Sequence, residues 1–153
     1  MTERAQRIVL ASRPVGEPTL DNFRLEELPI PQPGPGQMLL RTRWLSLDPY
    51  MRGRMSDAPS YAKPVGIGEV MEGGTVGDVV TSNASGFAKG DIVVGRTGWQ
   101  THALSDGSGL QKVEHGSELR KGAIGLRTGQ ANVWPNADSQ VGSQRNDAVY
   151  RRI

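Results

Sequence analysis

The chain has 153 residues, with 18 Lys and Arg against 16 Asp and Glu for a net charge of +2. That length is one ordinary domain, and so slight and scattered an excess of positive charge leaves no footprint for nucleic acid. Cysteine is absent, which excludes a disulfide framework, a thiolate nucleophile and a sulfur-ligated metal, and fits an intracellular setting.

The amino terminus holds a single four-residue apolar run, Ile8 to Ala11, and nothing downstream approaches the length that spans a bilayer. Neither a signal peptide nor a membrane segment is expected. Short apolar runs broken by Gly and Pro fill the first 113 residues, the pattern of an all-β domain with frequent turns. Arg7 to Ala11 and Phe23 to Leu28 read as the first two strands. Pro29 to Gly36, which carries Pro at 29, 31, 33 and 35, reads as a stiff extended connector that no helix can accommodate. From Gln37 to Leu47, Met38, Leu40, Thr42 and Trp44 fall on one face at period two, with Arg41 and Arg43 on the other, facing solvent.

Trp44 to Leu47 runs into an Asp48-Pro49 turn that presents Tyr50, Met51 and Arg52 together. Glu69 to Ser82 is rich in β-branched residues and reads as a strand bent by Gly73, Gly74 and Gly77. Gly86 to Asp91 turns into a buried strand at Ile92 to Val94, with further strands at Gly98 to Leu104 and Leu110 to Val113. Many short strands with kinking glycines predict a small, partly open barrel with short helical turns.

Beyond Val113 the character changes. Glu114 to Ile153 is rich in Gly, Gln, Asn, Ser and Arg, with isolated apolar residues at no sustained period. The expectation is an irregular tail, disordered or partly helical, with a short helix over Ser117 to Arg127 that Gly122 and Gly125 weaken. It reads either as the product of a shifted frame after a truncating lesion or as an unrelated extension.

Three blocks in order, LSLDPYMRGRMSD, VGIGEVMEGGTVGDVV and FAKGDIVVGRTGWQ, resemble the amino-terminal domain of the zinc-independent medium-chain dehydrogenases/reductases. Within that superfamily the likeness is to the NADPH-dependent alkenal, alkenone and prostaglandin reductases of the curcumin reductase type, and it runs from about Arg7 to Val113. It implies a GroES-like barrel over 1–113, with 114–153 a non-family tail. It also implies a substrate-side half-enzyme whose dinucleotide-binding domain, the main NADPH site and the usual homodimer surface, is missing, so that this chain alone is expected to be inactive and to reside in the cytoplasm.

The activity implied is reduction of the C=C bond of small apolar enals and enones, with no nucleic acid, membrane or metal partner. Zinc-dependent alcohol dehydrogenases of the superfamily carry a Gly-His-Glu motif where this chain reads Val70-Met71-Glu72-Gly73-Gly74, so no zinc site is expected. Tyr50 of the Asp-Pro-Tyr-Met-Arg motif is the candidate catalytic residue, a hydroxyl for the developing enolate, against the alternative that its ring merely packs. Met51, Tyr61 and Trp99 join Tyr50 as candidate substrate contacts; Met51 reads equally as core, and Trp99 as cleft wall or barrel plug. Arg52, or Arg54, is placed to approach the cofactor phosphates, with plain solvation as the other reading. His102 is a weaker candidate proton donor than a strand residue, and His115 has no role. Some relatives carry an aromatic within the glycine segment, and Gly73-Gly74 is expected to leave that space as a wider pocket. The alternatives from other classes are a non-catalytic barrel that binds a small ligand or a protein, and an inactive gene product.

Overall fold

A computed structural model describes residues 3–113 and the backbone of 149–152. The expected helix at 117–127, most of the tail and His115 lie outside the described residues. The domain is mainly β. In chain order it comprises β1 (Arg4–Leu10), a three-residue 3₁₀ turn (Leu20–Asn22), β2 (Phe23–Pro29), β3 (Met38–Leu47), the helical turn α1 (Tyr50–Arg54), β4 (Thr75–Ser82), β5 (Ile92–Gly95), β6 (His102–Ser105), β7 (Gln111–Val113) and β8 (Val149–Arg152).

β1 and β2 form an antiparallel ribbon, and the other strands form one sheet in the order β6-β3-β4-β5-β7, with β8 on β3. β3 organises it. One edge of this ten-residue strand pairs with β4, while the other is shared between β6, opposite Met38–Arg41, and β8, opposite Trp44–Leu47. Single bridges Arg7↔Gln100 and Val9↔Val70 tie the ribbon to the segments flanking the sheet. This is the partly open barrel that the sequence implied.

Two apolar clusters fill it. Met38, Leu40, Val79 and Val93, with Phe87 and Leu110 against them, are the core of the main sheet. Leu10, Met55, Val65 and Met71, with Phe23 and Trp99, form a second core between the ribbon, α1 and the 65–71 segment.

The structure differs from the sequence reading in several places: β1 starts three residues earlier than expected, at Arg4, and β6 four residues later, at His102. The register of β3 against β4 slips between Thr42 and Trp44, so the expected face of Met38, Leu40, Thr42 and Trp44 breaks at its last member. Leu45 is buried in its place and Trp44 is 43% exposed, as a bulge inverts the alternation beyond it. The expected strand from Glu69 begins only at Thr75, because the 69–71 segment is held by isolated backbone bonds, Glu69 to Leu10 and Met71 to Ile8 and Trp99. Arg41 and Arg43 do lie on the polar face, but both pair with Asp78 of β4.

Candidate functional site

The corner after β3 is fixed by local hydrogen bonds. The Ser46 hydroxyl donates to Asp48 Oδ2 at 2.6 Å, and the Met51 amide donates to the Asp48 carbonyl at 3.1 Å. Asp48 thus shapes the turn, as an Asx residue before Pro is suited to do. α1 then divides its side chains by helical period. Met51 and Met55, four apart, are buried at 3% and 4% exposure, whereas Tyr50 and Arg54, also four apart, turn outward together. The Arg54 guanidinium lies 5.9 Å from the Tyr50 ring centre and 5.3 Å from that of Tyr61.

Opposite α1, the chain makes a close crossing. Trp99 N–H donates to the Met71 carbonyl and Gly98 N–H to that of Gly73, an approach that leaves no room for side chains. A Cβ on Gly98 would meet Met71 O at 2.7 Å, and one on Gly73 would meet Leu45 Cδ1 at 2.7 Å and Trp99 Cδ1 at 3.0 Å. The expected open space at Gly73 is therefore filled: Leu45 and Trp99 occupy it, and no wider pocket results there. The same crossing sets Glu72 and Arg96 beside α1. Arg96 Nη2 donates to the Tyr50 hydroxyl oxygen at 2.9 Å, with its guanidinium 5.4 Å from the ring centre.

An open cavity of about 300 Å³ lies here, lined by Arg54, Ala62, Lys63, Glu72 and Arg96. Arg54 Nε is 3.2 Å from Glu72 Oε2; the two attract by charge, yet the N–H is not aligned for a hydrogen bond. The hydrogen bond to Tyr50 raises the Arg96 pKa above its ordinary value, against partial burial, which lowers it. Arg96 is therefore a fixed positive charge beside the phenol.

The expected site residues separate. Tyr50 and Tyr61 stand at the cavity edge, both in contact with Arg54. Met51 is core. Trp99 stacks on Phe23 at 5.5 Å between ring centres and packs against the second core, so it plugs the barrel end. Arg52 donates to the carbonyls of Gly16 and Pro14, which pins the 14–16 loop and turns its guanidinium away from the cavity lining. His102 is buried on β6, with Nδ1 3.1 Å from Thr101 Oγ1, and burial pushes its pKa down.

Glu72, Lys63 and Arg96 line the cavity without any motif that marks them as site residues. The four-residue spacing of Tyr50 and Arg54 was a usable signal for Arg54; Arg96 has none, since it reaches Tyr50 across 46 positions. Among the described residues no group of three or more His, Asp or Glu is gathered to hold a metal ion, and no helix is long and apolar enough to cross a membrane.

The glycine-packed partial barrel and its polar corner define the barrel domain of a medium-chain oxidoreductase. A family profile described as the N-terminal domain of oxidoreductase matches residues 6–113, and the chain belongs to that family. It is 59% identical over 111 residues to the NADPH-dependent curcumin reductase of Escherichia coli (strain K12), covering 72% of this chain and 32% of that protein. To prostaglandin reductase 1 of Rattus norvegicus it is 42% identical over 98 residues, 64% of this chain and 28% of the relative. The crystal structure of CurA in complex with NADPH from Vibrio vulnificus superposes with a TM-score of 0.67 at 60% identity, covering 70% of this chain and 32% of that one. The chain thus spans about a third of the length of these relatives.

Proposed function

We propose that this chain forms the substrate-side wall of an NADPH-dependent oxidoreductase that reduces the C=C bond of α,β-unsaturated aldehydes and ketones. The observation that carries the reading is the Arg96–Tyr50 hydrogen bond at the cavity edge. Because Arg96 donates to the phenol oxygen, the phenol's own hydrogen is directed elsewhere and is available to a carbonyl oxygen in the cavity. Negative charge growing on that oxygen as an enolate forms strengthens the Tyr50 hydrogen bond more than the neutral ground state does, and the fixed Arg96 charge adds to the effect.

The reaction also needs a hydride donor, assigned here to NADPH. The described residues do not by themselves fit its phosphates. Their helical turns span five and three residues, and neither follows a glycine-rich turn at a strand end, which is how a pyrophosphate is cradled. The main dinucleotide site is therefore assigned outside them, and no step is derived through it. A cytoplasmic setting and a homodimer formed through residues beyond 3–113 complete the proposal.

The test is a chimera in which residues 6–113 replace the matching part of the Escherichia coli curcumin reductase. It is expected to oxidise NADPH only when an enone is present. Tyr50→Phe in the chimera should lower kcat by roughly one to three powers of ten, the range for loss of one oxyanion-type donor. A folded chimera whose turnover ignores this change would reduce Tyr50 to a packing residue.

A further inference from the structure

The edge of β3 that faces away from β4 is divided. β6 covers Met38–Arg41, and the Thr42 amide still donates to the Thr101 carbonyl at 2.8 Å. Beyond that point the chain leading into β6 belongs to β1: the Ile8 amide donates to the Trp99 carbonyl, the Thr101 amide donates to the Gln6 carbonyl, and Arg7 bridges to Gln100. β6 therefore follows β3 no further, and Trp44–Leu47 is left for another strand. That stretch, Trp-Leu-Ser-Leu, holds neither a charge nor a proline, the residues with which exposed edges discourage pairing. Leu45 and Ser46 within it are buried.

β8 fills the gap, in antiparallel register from Trp44↔Arg152 to Leu47↔Val149. Among the described residues it pairs with β3 alone. Its connection is long for the task. β7 ends at Val113 on the opposite side of the sheet, with β5 and β4 between it and β3. At about 4.8 Å per strand, the steps from β7 across to β8 cover roughly 19 Å. Residues 114–148, at up to about 3.3 Å each, extend to about 115 Å. A connection so much longer than the span leaves the β3 edge of a second copy within reach as well as the chain's own.

We propose that β8 is an exchangeable strand: two copies of this chain each lend residues 149–152 to the Trp44–Leu47 edge of the other and form a strand-swapped dimer. The donated strand and the receiving edge are those of the monomer, so the exchange leaves no β3 edge open. Monomer and dimer share the same pairings, and concentration decides between them. Tethering within one chain is worth about millimolar effective concentration at most, and the dimer gains as the chain approaches that range. This gives the homodimer assigned above to residues beyond 3–113 a definite contact. It concerns only how two chains join, so its failure leaves the reductase reading untouched.

The absence of cysteine makes the test direct. Trp44, half exposed, stands opposite Arg152, and the Cβ atoms of directly opposed residues lie about 4.5–5.5 Å apart, near disulfide range. The full chain carrying Trp44→Cys is mixed with the full chain carrying Arg152→Cys in a glutathione buffer, where only pairing between chains joins the two. A disulfide-linked heterodimer is expected, and while monomer predominates its fraction should rise about tenfold for each tenfold increase in concentration. One chain carrying both changes should give mostly an internal disulfide when dilute. Leu47→Cys with Val149→Cys repeats the test at the other end of the ladder should the first pair fail to fold. Leu20→Cys, exposed in the 3₁₀ turn, mixed with Arg152→Cys measures random collision.

An internal disulfide in the double variant, with no heterodimer up to about millimolar chain, would show that β8 stays on its own chain and would overturn the proposal. Cross-linking to Leu20→Cys at the same rate, or no disulfide of either kind, would overturn it too.

Discussion

Tyr50, Met51, Arg54 and Met55 share one helical turn, and the turn's period sends two of them to the cavity and two to the core. The motif made Tyr50 stand out in the sequence. The sequence left Met51 open between pocket and core, and only the folded turn, with Met51 and Met55 both buried four residues apart, assigns it to the interior. Met55→Ala should cost about 2–5 kcal/mol, as truncation leaves a cavity beside Leu10, Val65 and Met71; the urea midpoint measures it. Gly77 is a second test at this scale. A Cβ there would lie 2.5 Å from the Arg41 carbonyl oxygen, backbone that cannot rotate away, so Gly77→Ala should destabilise by about 1–3 kcal/mol in the same assay. The sequence marked Gly77 as a bulge position; its closeness to β3 depends on strand pairing that no local pattern records.

Among the elements, β3 carries the most consequence because both its edges are used. β2, β5 and β7 fell close to the segments expected for them, since turn and breaker residues mark their limits: Pro29 at the end of β2, Gly90 and Gly95 about β5, and Gly107 and Gly109 before β7. The slip between Thr42 and Trp44 was not legible, because a bulge depends on what β4 offers opposite. Nor was β8: its four residues carry no period, and the irregular tail expected there ends in a strand that covers Trp44–Leu47. Open strand edges invite pairing with other chains. Deleting residues 149–153 should therefore speed hydrogen exchange at the β3 amides that face β8 and shift the chain toward oligomers. Unchanged exchange across 44–47, read by mass spectrometry, would show that β8 gives that edge no protection.

For the molecule as a whole, a buried histidine and carboxyls held by hydrogen bonds, Asp78 the most buried of them, set the acid response. Burial lowers the His102 pKa below its ordinary 6.5, so the folded state resists the proton that the unfolded chain accepts. Stability from this source is complete above about 6.5 and declines as pH falls from there toward the folded-state value. Burial of Asp78 works toward a higher pKa, but the hydrogen bonds from Arg43 and Arg41 outweigh it and hold the carboxyl below its ordinary 3.8. Its contribution is present above that value and is lost on further acidification. Urea midpoints should thus fall in two steps on going from neutral to strongly acid pH, and His102→Gln should flatten the first step alone.

The sequence by itself determined the β class, the order of most strands, the Asp-Pro corner and the family. Those rest on short-range chemistry: side-chain alternation, the fixed φ of proline, the turn preference of Asx residues, and a motif read in order. Only the tertiary structure decided that Trp99 plugs the barrel, that Gly73 is filled by Leu45 and Trp99, and that Arg54, Lys63, Glu72 and Arg96 line one cavity. Each of these depends on segments far apart in the chain meeting at a crossing, as Arg96 meets Tyr50, and the physics of such a meeting lies in packing between strands rather than in any stretch of residues.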